Sequence, residues 1–169
     1  MSETTKTAGE GGRTSNQATS EYQLAGFLPY QLSITSNAVS DLIAERYRKR
    51  FALKVPEWRV MAVLGDAGLQ GQSLTQRDLT AATLMDKVAV NRACKVLEER
   101  GLVARVANQQ DGRSHLLALT GEGEAIHREV MPLAKATERE LCEGLGAEEE
   151  QVLRAALKRL RNRAAQLAK

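Results

Sequence analysis

A run of basic and amide side chains lies on one face of the segment at residues 86–100. The apolar residues of this segment recur at i, i+3, i+4 and i+7, which places them on the core side of a helix: Val90, Ala93, Cys94 and Leu97. The opposite face carries Lys87, Val88, Asn91, Arg92 and Lys95. Lys and Arg can donate to guanine, Asn can pair with adenine, and Val can contact a thymine methyl group. The face therefore suits the major groove of DNA, although a solvated polar helix face fits the pattern equally well.

Capping signals place a second short helix before this one. Thr75 and Asp78 have the three-residue spacing of a capping box, and Asp86 can cap the basic-faced helix, which Gly101 would end. Two short capped helices separated by a tight turn form a helix-turn-helix candidate. Gln76, in the first turn of the leading helix, is predicted to contact a DNA phosphate.

A predicted hairpin follows the helix-turn-helix. Residues 102–107 and 114–120 are rich in strand-forming side chains, and NQQDG between them is turn chemistry. In this position a hairpin makes a wing whose tip can reach along a duplex. We expect Arg113 to enter the minor groove, Asp111 to hold Arg113 by accepting its hydrogen bond, and Ser114 to contact a phosphate. An ordinary hairpin turn with an incidental ion pair is the alternative.

Longer helical patterns surround these elements. Apolar periodicity and turn residues predict a first helix over residues 24–51, a second from Pro56 to near Gly65 and Gly68, a fifth capped by Thr120 and kinked at Pro132, and a last from about Ala147. The last helix carries leucines three or four residues apart, which favours packing against a partner helix: Leu153, Leu157, Leu160 and Leu167.

Composition bounds the class of protein. The chain has 169 residues, 43% hydrophobic content and a net charge of +3, so it can bury one sizeable core. Two distant cysteines, Cys94 and Cys142, give neither a zinc motif nor a disulfide framework, which favours a reducing cytoplasm. No apolar run reaches the roughly 20 residues of a membrane helix. We therefore expect a cytoplasmic protein without metal, cofactor or membrane contact.

The sequence offers little support for an enzyme. Glu124 and His127 have the E-x-x-H spacing of di-iron helical bundles, but a second copy and further carboxylates are missing. The GEG at residues 121–123 lacks the remaining glycine and lysine of a phosphate loop. No nucleophile, base and orienting group occur together, so we expect a protein without catalytic activity.

Several segments together resemble the MarR family of bacterial transcription regulators. These are LEERGLVARVANQQDGRSHLLALTGEGEAI, LPYQLS in the first helix and PEWRVMAVLG in the second, and the similarity runs from about Leu24 to the C-terminus. The D-x-R wing followed by L-T and by Gly123 is its most specific part. The implied fold class is mainly α with a small β-hairpin wing, organised as a winged helix-turn-helix with an intertwined α-helical dimerisation region.

The resemblance implies an obligate homodimer that binds a pseudo-palindromic, double-stranded DNA operator. The predicted organisation is a disordered tail at residues 1–20, a dimerisation helix at 21–51, a winged helix-turn-helix at 52–120 and C-terminal dimerisation helices at 121–169. Dimer contacts are assigned to Leu28 and to the four leucines of the last helix. A two-fold dimer would set its recognition helices roughly 34 Å apart, one turn of DNA.

The resemblance further implies a repressor that a small aromatic, phenolic, acyl or other anionic ligand releases from DNA. Candidate pocket residues, which combine aromatic surface with polar groups, are Tyr30, Ser33, Asn37 and Trp58, although a core position for Trp58 and a half-buried one for Tyr30 are the stronger alternatives. Two other functions stay open. One is a redox-responsive regulator that uses Cys142, although the family's sensing cysteine near the start of the first helix is missing here. The other is a helical dimeric protein-interaction module that does not bind DNA.

Overall fold

The computed structural model describes residues 23–108 and 114–168. After a 3₁₀ turn at Leu24–Gly26, the elements follow in the order α1 (Leu28–Phe51), α2 (Val55–Leu69), β1 (Leu74–Thr75), α3 (Gln76–Thr83), α4 (Lys87–Glu99), β2 (Val103–Ala107), β3 (His115–Leu119), α5 (Gly121–Cys142) and α6 (Ala147–Leu167). The predicted class, mainly α with a small β-hairpin wing, is confirmed. The predicted tail at residues 1–20 lies outside the described residues.

The chain divides into two compact units between Asp41 and Leu42. The described part of the first unit contains the 3₁₀ turn and the beginning of α1. The first helix thus starts at Leu28 rather than at the predicted Leu24, and Pro29 lies in its first turn, where a missing N–H costs nothing. Six large apolar side chains of this unit are exposed: Leu24, Phe27, Leu28, Tyr30, Leu32 and Ile34.

The second unit contains the buried core. Side chains from the end of α1, from α2 to α5 and from the sheet contribute to it, and the largest fully buried ones include Tyr47, Leu53, Met61, Leu64, Leu79, Leu97, Leu102 and Leu117. Burial on several sides of α2 matches its all-round apolar sequence. Each of the helices α1 to α5 has at least one buried residue, whereas α6 has none among the described residues.

Helix α2 continues through Gly65 and ends at Leu69, beside the predicted stop at Gly68. The residue that turns the chain is Gly71, whose φ of +69° lies in the left-handed region that glycine adopts without a steric penalty. The Gln72 N–H then bonds to the Ala67 carbonyl oxygen at 2.9 Å. Gly65 is needed for the packing of α2 against α5, because a Cβ there would lie 2.4 Å from Nε2 of His127 in α5.

The three strands form one antiparallel sheet in the order β1-β3-β2. The register pairs Leu74 with Leu117 on one side of β3, and Val103 with Leu119 on the other. The predicted strands at residues 102–107 and 114–120 are confirmed within one residue at each end. Strand β1 was not predicted, because two residues are too few to show an alternating pattern.

Local caps begin three of the helices as the sequence indicates. Thr75 Oγ1 accepts from the Asp78 N–H at 3.2 Å, and the Asp78 carboxylate accepts from the Thr75 N–H at 2.9 Å, so the predicted capping box is confirmed. Asp86 caps α4 and Thr120 caps α5 with one bond each, because each side chain accepts from the backbone N–H three residues later. Pro132 lies inside α5. Within residues 23–108 and 114–168, no helix combines the length and apolar character that a bilayer crossing requires.

Candidate nucleic-acid interface

Helix α4 separates its side chains into two faces as its sequence predicts. The four core-facing residues are at most 3% exposed: Val90, Ala93, Cys94 and Leu97. The opposite face is exposed along its length: Lys87, Val88, Asn91, Arg92 and Lys95. Val88 keeps 57% of its surface accessible although it is apolar. The result is a row of cations, an amide and a branched alkyl group on a rigid helix.

Both ends of α4 are fixed by hydrogen bonds. At the N-terminus, Asp86 Oδ1 accepts from the Ala89 N–H at 2.8 Å, after a turn in which Leu84 adopts a φ of +53°. At the C-terminus, Gly101 has a φ of +70°, and the Leu102 N–H bonds to the Leu97 carbonyl oxygen at 2.9 Å. The predicted cap and stop are confirmed, and they fix where the polar face begins and ends.

An ion pair joins α4 to the neighbouring strand. Nε and Nη2 of Arg105 in β2 both donate to Oε1 of Glu98, at 3.2 and 2.7 Å. The Arg105 guanidinium neutralises the charge of Glu98, one of the two acidic residues near the C-terminus of α4. This carboxylate therefore does not offset the positive charge of the outward face. Sequence reasoning missed this contact, because the two residues meet across the Gly101 turn and neither forms a motif alone.

A second connection runs from the C-terminus of α4 to the end of α1. Arg100 donates from Nη2 to the Phe51 carbonyl oxygen at 2.7 Å and from Nη1 to the Ala52 carbonyl oxygen at 3.1 Å. These carbonyls end α1, where a cation is favourable because the helix dipole is negative there. No local pattern predicts this contact, since its partners are 48 and 49 residues apart in the chain.

An open groove of about 660 Å³ lies between the N-terminus of α3 and the strands β2 and β3. Gln76 and Ser114, both predicted as phosphate contacts, line it, so the structure brings them to one place. Ser114 accepts from Asn108 Nδ2 at 3.0 Å at the base of the hairpin. Sequence reasoning missed two further donors in the same groove, the exposed Arg77 and His115. Asp111 and Arg113 lie outside the described residues.

The Gln76 side chain is oriented partly inward. Its amide nitrogen is buried and has no nitrogen or oxygen partner among the described residues. The Gln76 amide lies near the Cys94 thiol, where it favours the thiolate. Burial has the larger, opposite effect and, with the charge of Glu98, raises the pKa of Cys94 to about 11. Cys94 is therefore a neutral, unreactive thiol at pH 7.

The candidate ligand residues occupy different environments. Tyr30, Ser33 and Asn37 are exposed in the first unit. Trp58 is 8% exposed in the core of the second unit, with its ring centroid 5.6 Å from that of Tyr47 and 5.7 Å from that of His127. Burial lowers the pKa of His127, partly offset by the charge of Asp66, so the imidazole is mainly neutral at pH 7.

The candidate dimerisation leucines are all exposed: Leu28, Leu153, Leu157, Leu160 and Leu167. Cys142 is half-buried near the end of α5. In the part of the chain that the structure describes, no group of three or more His, Cys, Asp or Glu side chains is placed to hold a metal ion.

Comparisons with known proteins agree with this arrangement. The model of the MarR family matches residues 53–114, from two residues before α2 to the base of the hairpin. The Escherichia coli O157:H7 transcriptional regulator HosA is 30% identical over 112 residues, which are 65% of this chain and 78% of HosA.

Solved structures extend the likeness to most of the chain. A MarR family transcriptional regulator from Silicibacter pomeroyi DSS-3 is 32% identical, with a TM-score of 0.67 over 82% of this chain and 98% of that one. BpsR from Bordetella bronchiseptica, whose DNA binding is regulated by 6-hydroxynicotinic acid, shares the fold at 21% identity, with a TM-score of 0.72 over 83% and 96% of the two chains. The chain belongs to the MarR family of winged-helix transcriptional regulators.

Proposed function

We propose that this protein is a homodimeric, sequence-specific DNA-binding repressor that a small ligand releases from a pseudo-palindromic operator. The observation that carries the proposal is the outward face of α4. Lys87 and Arg92 form no ion pair within the described residues, and Lys95 has only an exposed 3.8 Å contact with Glu99. Their charges are therefore available to a polyanion, and the Asn91 amide beside them can pair with adenine.

The groove beside α3 supports a division of roles between base and backbone contacts. Lys87, Val88, Asn91, Arg92 and Lys95 would face bases in the major groove. Arg77, His115, Ser114 and, after rotation of its amide, Gln76 would contact phosphates and fix the orientation of α4. Arg113, held by Asp111, would enter the minor groove beside the wing.

Dimerisation would cover the exposed apolar side chains. A 21-residue helix without a buried side chain, such as α6, does not gain enough from helix propensity alone to hold an amphipathic stripe in water. Leu153, Leu157 and Leu160 are each 43–46% exposed, and a second copy of the chain would bury them together with Leu28 and Leu167. Two-fold symmetry would then present two copies of α4 about 34 Å apart, to half-sites about 10 bp apart.

Ligand release requires a dimer state with the wrong spacing between its α4 helices. A ligand that prefers this state by roughly 2 to 3 kcal/mol would weaken operator binding about 30- to 150-fold. The fold shared with BpsR supports an aromatic acid as effector. Tyr30, Ser33, Asn37 and Trp58 are the candidate contacts from the first two helices. We expect this regulation to operate in the bacterial cytoplasm.

Fluorescence anisotropy tests the proposal directly. The dimer should bind a labelled fragment from upstream of its own coding region more tightly than a scrambled fragment, and the affinity should fall steeply with salt. Arg92→Ala should cost about 1 to 3 kcal/mol and relax base preference, because it removes a base contact.

Arg161→Ala is the matched control, because it removes the same charge from α6 and should leave base preference unchanged. Absent or salt-insensitive binding, including to DNA selected from a random library, would leave a helical protein-interaction module instead. Unchanged affinity and base preference in Arg92→Ala would remove Arg92 from the interface.

A further inference from the structure

One guanidinium group connects the C-terminal ends of two helices. Arg100 is the C-cap residue of α4, where its own N–H bonds to the Val96 carbonyl oxygen at 3.1 Å. Its side chain donates to the carbonyl oxygens of Phe51 and Ala52, at 2.7 and 3.1 Å. The last carbonyls of a helix have no partner within that helix and form the negative end of its dipole. Arg100 therefore satisfies two acceptors of α1 and places a positive charge beside the C-termini of both α1 and α4.

The turn that accepts these bonds is held in one conformation. Ala52 has a φ of +50°, in the left-handed region that is unfavourable for a residue with a Cβ. Its N–H bonds to the Arg48 carbonyl oxygen at 2.9 Å, and the next residue, Leu53, is fully buried. A backbone conformation of this kind persists only where its surroundings determine it. The two acceptors of the Arg100 side chain thus have fixed positions.

The same end of α1 is joined to α5. Arg46 donates to the Glu140 carboxylate at 2.8 Å, and Arg50 donates to the Glu129 carboxylate. Exposed ion pairs such as these contribute little stability individually, but they locate the last turns of α1 beside α5. Both helices are assigned to the dimer in the proposed function. Arg100 is thus a direct polar contact between α4 and the helices that would form the dimer.

A contact at the C-terminus of α4 controls the position of its other end. The helix has 13 residues, so it is about 20 Å long. A tilt of about 10° around the C-terminus would move the N-terminus by about 3.5 Å, close to the roughly 3.4 Å rise of one base pair. Lys87 and Val88, two of the proposed base contacts, lie at that moving end. A small change at Arg100 would therefore change the half-site spacing that two copies of α4 can contact.

We propose that Arg100 is a positioning residue of the DNA-binding site, which sets the tilt of α4 on α1 and thereby the half-site spacing that the dimer accepts. This inference rests on the proposed function, because spacing matters only for a dimer that binds two half-sites. A planar guanidinium group donates to two acceptors at once in a fixed geometry, whereas the ammonium group of lysine is a point charge. The role therefore belongs to the two-pronged contact rather than to the charge of Arg100.

Pulsed electron paramagnetic resonance tests this positioning without DNA. In the full-length protein with Cys142→Ser, a nitroxide on Lys87→Cys would report the distance between the N-termini of the two α4 helices in the dimer. The labelled parent should give one narrow distance distribution. Arg100→Gln should broaden this distribution or shift its mean by at least about 3 Å, because α4 is no longer held at its C-terminus.

Arg128→Gln is the matched control for this measurement. Arg128 also donates to a carbonyl oxygen, that of Glu124 at 3.3 Å, but this bond lies within α5. Its removal should leave the distance distribution of the parent unchanged. Circular dichroism and light scattering should first establish that each variant is a folded dimer.

Operator fragments distinguish positioning from a general loss of structure. The parent should bind two half-sites at their selected spacing at least about 10-fold more tightly than the same half-sites with one base pair inserted or removed. In Arg100→Gln this ratio should fall below about 3-fold, while the affinity for a single half-site changes less than about 2-fold, because each α4 keeps its base contacts. Arg100→Lys, which keeps the charge without the fork, should also relax the spacing preference.

Three results would overturn the assignment. One is an Arg100→Gln dimer with the distance distribution of the parent. The second is an equal loss of affinity for the single half-site and for the paired half-sites, which would indicate a damaged helix. The third is an Arg100→Lys variant that matches the parent in both assays, which would attribute the effect to charge alone.

The two assays separate this inference from the proposed function. A broadened distribution in Arg100→Gln, for a protein that binds no DNA fragment selectively, would keep the positioning of α4 by Arg100 and reject the regulator. Selective operator binding, with a distance distribution and a spacing preference that Arg100→Gln leaves unchanged, would keep the regulator and reject the role of Arg100.

Discussion

Replacement of Gly123 by alanine should reveal how closely α5 is packed beneath the wing. Gly123 lies in the first turn of α5, and its N–H donates to the capping Thr120 Oγ1 at 3.1 Å. A Cβ at this position would lie 2.1 Å from the carbonyl oxygen of Leu102, which itself accepts from the Thr120 N–H at 3.1 Å. The obstacle is backbone, so rotation of a side chain cannot relieve it.

The expected magnitude is the difference between two effects. Overpacking costs typically about 1 to 3 kcal/mol, and a clash with fixed backbone belongs at the upper end of that range. Alanine recovers up to about 1 kcal/mol of helix propensity. Gly123→Ala should therefore reduce the free energy of unfolding by about 2 kcal/mol, equivalent to roughly 4 to 8 °C in Tm for a chain of this size.

Gly121 supplies a matched control in the same turn, because a Cβ there would meet no atom within 4 Å. Gly121→Ala should be neutral or stabilising by up to about 1 kcal/mol. Urea unfolding of both variants, followed by far-UV circular dichroism at one protein concentration, measures the difference. Equal stability of the two variants would refute the close approach of Gly123 to Leu102.

Three further predictions test the dimer, the thiols and the buried imidazole. Leu160→Asp should convert the dimer to monomers in light scattering because it places a charge in the apolar stripe, whereas Arg161→Asp should not; a dimeric Leu160→Asp variant would locate the dimer contact elsewhere. Native protein at pH 7.5 should react with one equivalent of a thiol reagent, at Cys142, because burial raises the pKa of Cys94 to about 11; a second fast equivalent, or one that persists in Cys142→Ser, would contradict the burial of Cys94. The pKa of His127 is lower in the folded protein than in the unfolded chain, so the unfolded chain takes up this proton at a higher pH. The contribution of the neutral imidazole to the free energy of unfolding should therefore be complete above about pH 6.5 and lost as the pH falls below it. A His127→Gln variant whose free energy of unfolding declines by the same amount between about pH 7 and pH 5 would exclude this residue as the cause.

The local signals of the sequence predicted most of the secondary structure. Thr75 with Asp78, Asp86 and Thr120 each act within three residues of their partners, so their type and spacing are sufficient to start a helix. The 3.6-residue period likewise determined which side of α4 would be buried, because a helix fixes the relative direction of its side chains before it packs.

Two of the differences from the sequence predictions arose where a residue's role depends on a distant segment. The sequence offered Gly65 as a helix stop, yet this glycine accommodates His127 from α5. Strand β1 has too few residues for a pattern and exists because Leu74 and Thr75 pair with β3. The third difference is local, because Leu24–Gly26 form a 3₁₀ turn before α1 and the apolar spacing suited either conformation.

The sequence by itself thus determined the helices, their caps, the paired strands of the wing and the polar face of α4, because these depend on contacts within about one turn or one hairpin. Tertiary structure alone decided the Arg105–Glu98 pair and the bonds from Arg100 to the end of α1. Those features join residues from separate elements, so their geometry depends on how the core packs, and a pattern of residue types along the chain does not contain that information.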